Sequence, residues 1–157
     1  MKGDPFGSEP ELGQRSKYQQ EKHVIHSRLW SLPITPGSIV VPHTHSREDE
    51  VTYVIEGEIG VKIGDQVVTV PSGSYVFKPR NVPHTFWNPG TRDARTLEMI
   101  APPDFASYFE ELSKILSEPS SSAKRKESEL DEKYGLTNHP EWLPELVREY
   151  KLKNPLS

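Results

Sequence analysis

The sequence predicts an all-β protein, a sandwich or barrel of short strands, followed by a helical extension. Two observations predict this fold class. Between residues 24 and 103, short runs of β-branched and aromatic residues alternate with glycine and proline turns. After residue 103, the apolar spacing changes to that of an amphipathic helix. We therefore divide the chain into a polar, flexible N-terminal tail (1–23), a barrel (24–103) and a helical C-terminal extension (104–157).

The predicted strands follow one another through the barrel region with turn residues between them. They are expected at residues 24–32, 39–41, 51–55, 59–63, 67–70, 75–77, 84–87 and 96–100. Ile59, Val61 and Ile63 alternate with polar or small residues, as expected of a strand with one buried face. Gly64-Asp65 then predicts a two-residue hairpin turn.

The extension is predicted to contain three helices. Residues 105–116 carry one apolar stripe at helical spacing, which predicts a helix packed on the outside of the barrel. Residues 117–127 are rich in serine and include a basic triplet, so we interpret them as a flexible linker with a solvated surface. Short helices are expected at 129–134 and 144–150.

The amino-acid composition limits which binding partners and which cellular compartment are expected. The 157 residues include 19 basic and 23 acidic ones, and the net charge of −4 argues against nucleic acid as the main partner. There is no apolar run of about 18 residues, so no membrane span is expected. The start of the sequence shows no apolar segment typical of a signal peptide. Cysteine is absent, so any metal site must use nitrogen and oxygen ligands, and a cytoplasmic location is expected.

Three histidines and one glutamate form the most informative pattern. His43 and His45 are two residues apart, so their side chains share a face on a strand. Glu50 lies at an odd offset from His45, so it cannot share that face on an unbroken strand, and the segment 46–49 is polar enough to be the turn that resets the register. His84 comes from a distant strand. Three imidazoles and a carboxylate can bind a divalent transition metal and leave a position for water or substrate.

The glycine and proline frame around these residues resembles that of the cupins. The first cupin signature, G-x5-H-x-H-x(3,4)-E-x6-G, is matched in full by residues 37–57. The second, G-x5-P-x-G-x2-H-x3-N, is matched by residues 73–88, except that Asn81 replaces a glycine. Asparagine tolerates a positive φ better than other non-glycine residues, so this departure leaves the ligand set intact. The resemblance implies a double-stranded β-helix, or jelly-roll barrel. It also implies one divalent Fe, Mn, Ni, Co or Zn ion bound by His43, His45, Glu50 and His84.

Within the cupins, the single barrel and helical tail are similar to those of flavonol (quercetin) dioxygenase-like members. In those enzymes the substrate's enolic hydroxyl binds the metal, the glutamate ligand takes its proton, and dioxygen then attacks. The resemblance implies that Glu50 is both a ligand and the general base. The substrate is then expected to be a small enolic or aromatic compound. Candidate pocket residues share the inward face with the ligands, although barrel filling is their default role: Ile39, Val41, Thr52, Val54 and Phe86.

Other functions remain open at this point. A non-enzymatic, metal-containing module for binding or sensing small molecules is the strongest alternative, since one fold hosts many functions. A metal-dependent sugar isomerase would need a basic residue inside the barrel, for which Arg28, Lys62 and Lys78 are candidates. An oxalate-type decarboxylase would need an interior arginine and an acidic lid residue. An apolar inner wall around a roomy cavity would favour the enolic or aromatic substrate. A basic inner wall would favour a phosphosugar, and a barrel with no free cavity would favour a non-catalytic role.

The remaining histidines and acidic residues near the motif have simpler interpretations. Glu48 and Asp49 are interpreted as loop charges, because only Glu50 fits the family spacing. His26 is interpreted as a hydrated histidine on a strand edge. His23 and His139 lie in polar stretches that are expected to be exposed, and they are not predicted to be ligands.

A homodimer is predicted from the surfaces that one chain leaves open. A barrel has exposed sheet edges, and such edges invite pairing with another chain. The N-terminal tail and the C-terminal helices contain too few apolar residues to form a core alone. We therefore expect the tails or the sheet edges to contribute to contacts between two copies.

Overall fold

The computed structural model describes residues 28–117 and 123–156, and it shows an all-β core with C-terminal helices. The strands in the described part are β1 (Arg28–Ile34), β2 (His43–His45), β3 (Asp49–Glu56), β4 (Glu58–Ile63), β5 (Gln66–Pro71), β6 (Tyr75–Lys78), β7 (His84–Trp87), β8 (Ala94–Ala101) and β9 (Leu136–Asn138). The helices are α1 (Ala106–Ser117), α2 (Ala123–Tyr134) and α3 (Leu143–Tyr150). Two 3-10 turns, Pro103–Phe105 and Pro140–Trp142, precede α1 and α3.

The strands form two antiparallel sheets. One sheet has the order β1-β8-β3-β6, and the other has the order β5-β4-β7-β2-β9. Most successive strands lie in opposite sheets, with the β4–β5 hairpin as an exception. The chain therefore winds back and forth between the two sheets, which is the double-stranded β-helix that the sequence predicts.

Side chains from both sheets meet in one apolar core. Val54 of β3, Ile59 and Val61 of β4 and Phe86 of β7 are nearly inaccessible to solvent, and Val76 of β6 packs with them. Burying a side chain of this size contributes about 1.5–3 kcal/mol of stability. The alternation of buried and accessible residues along β3 confirms that Thr52 and Val54 share the inward face of Glu50.

The turns between the strands adopt the backbone conformations that the motifs predict. Gly57 and Gly73 have φ values of 78° and 84°, in the left-handed region that glycine adopts without strain. Asn81 has a φ of 62°, so it fills the glycine position of the second signature as expected. Its backbone N–H donates to the carbonyl oxygen of His45 at 2.7 Å, which joins this turn to the end of β2.

The helix α3, which the sequence predicts at residues 144–150, packs on the outside of the barrel. Leu143 and Leu146 are buried against Trp87 of β7 and Ile39. Trp87 itself lies on the outer face of its sheet, directly over Gly60. A Cβ atom on Gly60 would come within 2.2 Å of the Trp87 ring, so only glycine leaves room for the indole at this position.

Part of the predicted linker is helical, because α1 extends to Ser117 and α2 begins at Ala123 and not at residue 129. Residues 123–127 are therefore helical. They include alanine, lysine, arginine and glutamate, which have high helix propensity, and the buried Leu130 anchors the helix. The strand β9 was not predicted from the sequence. It is three residues long and pairs with β2.

Several predictions concern residues that the structure does not describe. The N-terminal tail with His23, the predicted start of the first strand at residue 24 with His26, and residues 118–122 lie outside the described residues. In the described part, no helix is both long enough and apolar enough to cross a membrane.

Candidate metal centre

The two sheets bring His43, His45, Glu50 and His84 together. His43 and His45 lie on β2, and His84 of β7 is the direct cross-strand partner of His43. Glu50 comes from β3 in the facing sheet. The turn between β2 and β3 carries the chain from one sheet to the other and resets the register as predicted, but it comprises residues 46–48, because Asp49 already belongs to β3.

The four side chains offer their ligand atoms to one point. One nitrogen or oxygen atom of each lies within 4.8 Å of the others. Glu50 Oε2 is 3.8, 3.5 and 3.1 Å from the Nε2 atoms of His43, His45 and His84 respectively. Neighbouring ligands bound to one ion at about 2.0–2.2 Å are roughly 3–3.5 Å apart. The cluster therefore fits a single divalent ion with little rearrangement.

Backbone carbonyl groups orient two of the imidazoles. His43 Nδ1 donates to the carbonyl oxygen of Val41 at 2.7 Å, and His84 Nδ1 donates to that of Val82 at 2.9 Å. Because Nδ1 carries the proton in both rings, each Nε2 keeps a lone pair directed at Glu50. This outer hydrogen bond is the usual device that fixes the tautomer of a metal-binding histidine.

Glu48 is not the exposed loop charge that the sequence predicts. Its side chain is buried, with 3% exposure, and Glu48 Oε2 lies 3.6 Å from His45 Nδ1. Burial raises the pKa of Glu48 above its ordinary value, although His45 and Arg47 oppose the shift. Asp49 is the first residue of β3 and not a loop residue, and it forms an accessible ion pair with Arg80 at 2.7 Å.

A buried lysine and a second buried glutamate stand beside the cluster. Lys78 has no solvent exposure, and its Nζ donates to Glu50 Oε1 at 2.5 Å and to Glu98 Oε2 at 3.1 Å. Thr52 Oγ1 donates to the same Glu98 oxygen at 2.6 Å. The strand register explains these contacts, because Lys78 is the cross-strand partner of Glu50 and Glu98 is that of Thr52.

From the sequence, Lys78 was only a candidate for sugar-phosphate binding, and Glu98 was missed. The available signal for Glu98 was its parity on β8, where it alternates with accessible residues and shares a buried face with Thr96 and Ile100. That pattern places Glu98 inside the barrel. It does not reveal Lys78 as its partner, because the pairing of β3 with β6 and β8 is a property of the fold.

The charges of this group suit metal binding. Burial raises the pKa of Glu50, but the Lys78 ammonium group and the three neighbouring imidazoles outweigh it, so the pKa lies well below its ordinary value. Burial lowers the pKa of Lys78, yet Glu50 and Glu98 raise it on balance. Burial also lowers the pKa of His84. At neutral pH, Glu50 is thus ionised and His84 is neutral, the forms in which both bind metal ions.

A cavity of about 360 Å³ opens on the cluster. The barrel contributes apolar residues at Val40, Val41, Phe86 and Ile100, together with the polar side chains of His43, His45, Glu50 and Glu98. The C-terminal extension contributes Phe105, Tyr108, Phe109, Leu112, Leu136 and Asn138. Because most of these side chains are apolar, the wall suits a largely apolar small molecule.

The candidate pocket residues divide into three groups. Val41 and Phe86 line the cavity. Thr52 and Val54 are buried inside the barrel, but Thr52 bonds to Glu98 and Val54 fills the core. The prediction for Ile39 is wrong, since Ile39 packs against Trp87 and α3 on the outside. The chain between Ile39 and β2 is not a continuous strand, so the parity argument does not extend across it.

The C-terminal extension covers the cavity, which the sequence did not predict. The ring of Phe105 lies edge-on to the His45 ring, with centroids 4.4 Å apart, and it stacks on Tyr108. Phe105 and Tyr108 are both buried, and Leu130 of α2 and Ile100 of β8 pack with them. The first helix of the extension therefore forms a roof over the site.

The other candidates lie away from the cluster. Lys62 places its Nζ 4.3 Å from the centre of the Trp142 ring. His139 is half-buried and not exposed, and its Nε2 bonds to Thr44 Oγ1 at 2.7 Å. The side chain of Arg28 is outside the described part of the structure.

Comparison with known proteins agrees with the barrel and the cluster. Residues 32–100 match the family model of the cupin domain, Cupin_2. This match covers most of the barrel and contains all four residues of the cluster. Residues 32–100 therefore form a cupin domain.

Relatives of the chain carry different names. The tetracenomycin polyketide synthase protein TcmJ of Streptomyces glaucescens is 30% identical over 74 residues, which cover 47% of this chain and 50% of that protein. The chain thus spans about half the length of that curated relative. The solved structure of TT1209 from Thermus thermophilus is 31% identical and covers 48% of this chain and 70% of that one, with a TM-score of 0.44. The solved structure of a predicted oxalate decarboxylase from Thermotoga maritima is 28% identical. The matched part covers 47% of this chain and 65% of that one, with a TM-score of 0.46.

Proposed function

We propose that this cupin is a metal-dependent enzyme that acts on a small enolic or aromatic compound. His43, His45, Glu50 and His84 bind one divalent transition metal, and the substrate occupies the cavity beside it. The observation that carries the proposal is the apolar wall of that cavity, which opens on the ligand atoms. Its volume of about 360 Å³ lies within the range of small-molecule sites.

The residues of the site suit the activation of an acidic hydroxyl group. A divalent ion bound there would lower the pKa of an enolic or phenolic hydroxyl that reaches it. Glu50 is ionised and directs Oε2 towards the three imidazoles, so it can accept the proton of that hydroxyl. Glu50 is a weak base because Lys78 holds its pKa down. It therefore matches a substrate whose hydroxyl is made acidic by the site, and not an ordinary alcohol.

The nature of the cavity supports this class over a phosphosugar isomerase. Lys78 is bonded to Glu50 and Glu98 and is not among the residues that line the cavity. Lys62 lies over Trp142. A sugar phosphate would leave its charge against an apolar wall, which costs several kcal/mol without a partner. The name of TcmJ also supports an enolic substrate, since polyketides contain carbonyl groups that enolise or close to phenols.

The use of dioxygen is supported by the resemblance to flavonol dioxygenase-like cupins. The test is oxygen uptake by the metal-loaded protein with a flavonol, a catechol and a β-diketone. We expect uptake with at least one of them. We also expect Glu50→Gln to lower turnover by a factor of at least about 100, which is typical for the loss of a general base. Metal content should fall far less, because the amide oxygen can still bind the ion.

Two results would contradict the proposal. The first is that the metal-loaded protein consumes no oxygen with any of the three compounds. The second is that Glu50→Gln turns over at the normal rate. The first result would favour a metal-containing binding or sensing module, in which the cavity holds a ligand without changing it. Glu58→Gln is the matched control, because it makes the same change at an exposed position on β4.

A further inference from the structure

Two buried polar atoms without partners lie next to each other beside the four-residue cluster. His45 Nδ1 and Glu48 Oε2 are both shielded from solvent, and neither has a hydrogen-bond partner among the residues that the structure describes. They are 3.6 Å apart, which is about 0.4 Å beyond the usual range of an N–H···O hydrogen bond. A buried polar atom is costly while it stays unpaired. Because the imidazole nitrogen can donate and the carboxyl oxygen can accept, each atom supplies what the other lacks.

The surroundings of Nδ1 distinguish His45 from the other two imidazoles of the cluster. The Nδ1 atoms of His43 and His84 donate to backbone carbonyl oxygens. His45 Nδ1 has no such bond in the described part of the chain, although its Nε2 lies 3.5 Å from Glu50 Oε2. An imidazole binds a metal ion through Nε2 when its proton is on Nδ1, and the acceptor beside Nδ1 fixes the proton there. For His45, the nearby acceptor is Glu48.

The C-terminal extension holds the turn that carries Glu48. The backbone N–H of Ser46 donates to the carbonyl oxygen of Gly135 at 2.9 Å, and Arg47 Nη1 donates to that of Lys133 at 3.1 Å. These two acceptors lie at the end of α2 and just after it. The turn is therefore fixed against the end of β2, and a small movement of the side chain brings the carboxyl group within hydrogen-bond distance of the imidazole.

A purely structural role does not account for a glutamate at this place. The side chain of Glu48 is 3% exposed, and within the described residues it forms no ion pair with a lysine or an arginine. Burial raises its pKa, so the site is unfavourable for the charge. An apolar side chain would fill the same space without the cost of burying a polar group. Accepting a hydrogen bond does not require the charge, because ionised and protonated carboxyl groups both have an oxygen that accepts.

We propose that Glu48 is a positioning residue of the metal centre, whose carboxyl group accepts a hydrogen bond from His45 Nδ1 and so directs Nε2 of that ring at the ion. This inference rests on the metal centre of the proposed function. It adds a residue that touches neither the ion nor the substrate. The affinity for the metal then depends on a side chain outside the ligand set.

The first test is the position of the proton on His45 in the metal-free protein. ¹⁵N NMR distinguishes a ring protonated on Nδ1 from one protonated on Nε2, and mildly alkaline pH keeps the imidazoles neutral. We expect the Nδ1-protonated form in the natural protein and in Glu48→Gln, whose amide oxygen still accepts. Glu48→Leu should shift His45 towards the Nε2-protonated form, while His43 and His84 keep their protons on Nδ1.

The second test is the affinity for Zn²⁺, measured by competition with a chelator. Glu48→Leu should bind Zn²⁺ about 10–100-fold more weakly than the natural protein, which is the usual effect of removing the partner of a metal-binding histidine. Glu48→Gln should lose much less affinity, because it keeps the acceptor. Glu58→Leu makes the same change at an exposed position on β4 and should bind Zn²⁺ as the natural protein does.

The inference is overturned if His45 carries its proton on Nε2 in the natural protein, or if Glu48→Leu binds Zn²⁺ as tightly as the natural protein. It is also overturned if Glu48→Gln loses as much affinity as Glu48→Leu. Should Glu48→Leu fail to fold, the proton position in the natural protein and in Glu48→Gln decides. A natural protein that binds no Zn²⁺ would refute the metal centre and this inference with it. A lack of oxygen uptake would refute only the proposed enzymatic activity.

Discussion

Among single residues, Lys78 has the largest effect on the charge of the site. It is wholly buried between the carboxylates of Glu50 and Glu98. A buried ammonium group stays charged only while its carboxylate partners remain beside it, and the buried carboxylates depend on the ammonium group in the same way. Lys78 therefore keeps Glu50 ionised inside the barrel before any metal is bound.

The first prediction concerns the removal of this lysine. Lys78→Met should lower the free energy of unfolding of the metal-free protein by about 3–5 kcal/mol, because it leaves a buried carboxylate without a counter-charge. Lys62→Met is the control and should lose less than about 1 kcal/mol, since Lys62 only contacts the Trp142 ring. Urea unfolding measures both. Equal stabilities of the two variants would show that the buried pair does not matter.

The four residues of the cluster could be predicted from the sequence, but the neighbouring side chains that contact them could not. His43, His45, Glu50 and His84 were identified because their spacing within the glycine frame is diagnostic. The partners of Glu50 were not, because strand pairing in this fold is not sequential and β3 lies between β6 and β8. Glu48 was missed for a similar reason, since a turn residue can bury its side chain without any periodic signal.

At the scale of secondary-structure elements, α1 and the 3-10 turn before it determine how closed the site is. Phe105 packs on the His45 ring and on Tyr108, so the roof touches a ligand of the proposed metal directly. The apolar period of residues 105–116 predicted the helix and its buried face. It could not predict that the face lies over the mouth of the barrel, because periodicity carries no information about the surface that is covered.

The second prediction tests this roof. Phe105→Ala should lower the free energy of unfolding by about 3–5 kcal/mol, as expected for a fully buried phenylalanine. It should also weaken binding of catechol to the metal-loaded protein, because the cavity loses part of its apolar cover. Leu116→Ala, at an exposed position of the same helix, should change stability by less than about 0.5 kcal/mol. A Phe105→Ala variant as stable as Leu116→Ala would contradict the packing described here.

For the whole molecule, the surface suggests that two chains associate. The strand β6 forms one edge of its sheet, and its Tyr75 and Phe77 side chains are 68% and 58% exposed. Val67 and Val68 are exposed on β5, an edge of the other sheet. Apolar side chains grouped on sheet edges are typical of protein contact surfaces. The dimer stays a prediction, and these residues are where we expect its interface.

The third prediction is therefore a mass of about twice the chain mass of 17.9 kDa at micromolar concentration. The double substitution Tyr75→Ser and Phe77→Ser should shift the protein towards the single-chain mass, because it removes the exposed apolar rings. Leu116→Ser, an apolar-to-polar change elsewhere on the surface, should leave the mass unchanged. Light scattering measures all three, and a natural protein of 17.9 kDa would refute the prediction.

The central claim is that His43, His45, Glu50 and His84 bind one metal ion, and elemental analysis of protein purified without an affinity tag tests it most directly. We predict about one divalent transition metal per chain near neutral pH, and less in mild acid, because protons compete with the ion for the imidazoles. His84→Ala should retain almost none, while the control His139→Ala should retain the natural content. Natural protein that binds no such metal after incubation with Fe, Mn, Ni, Co or Zn, or a His84→Ala variant with full metal content, would contradict the account.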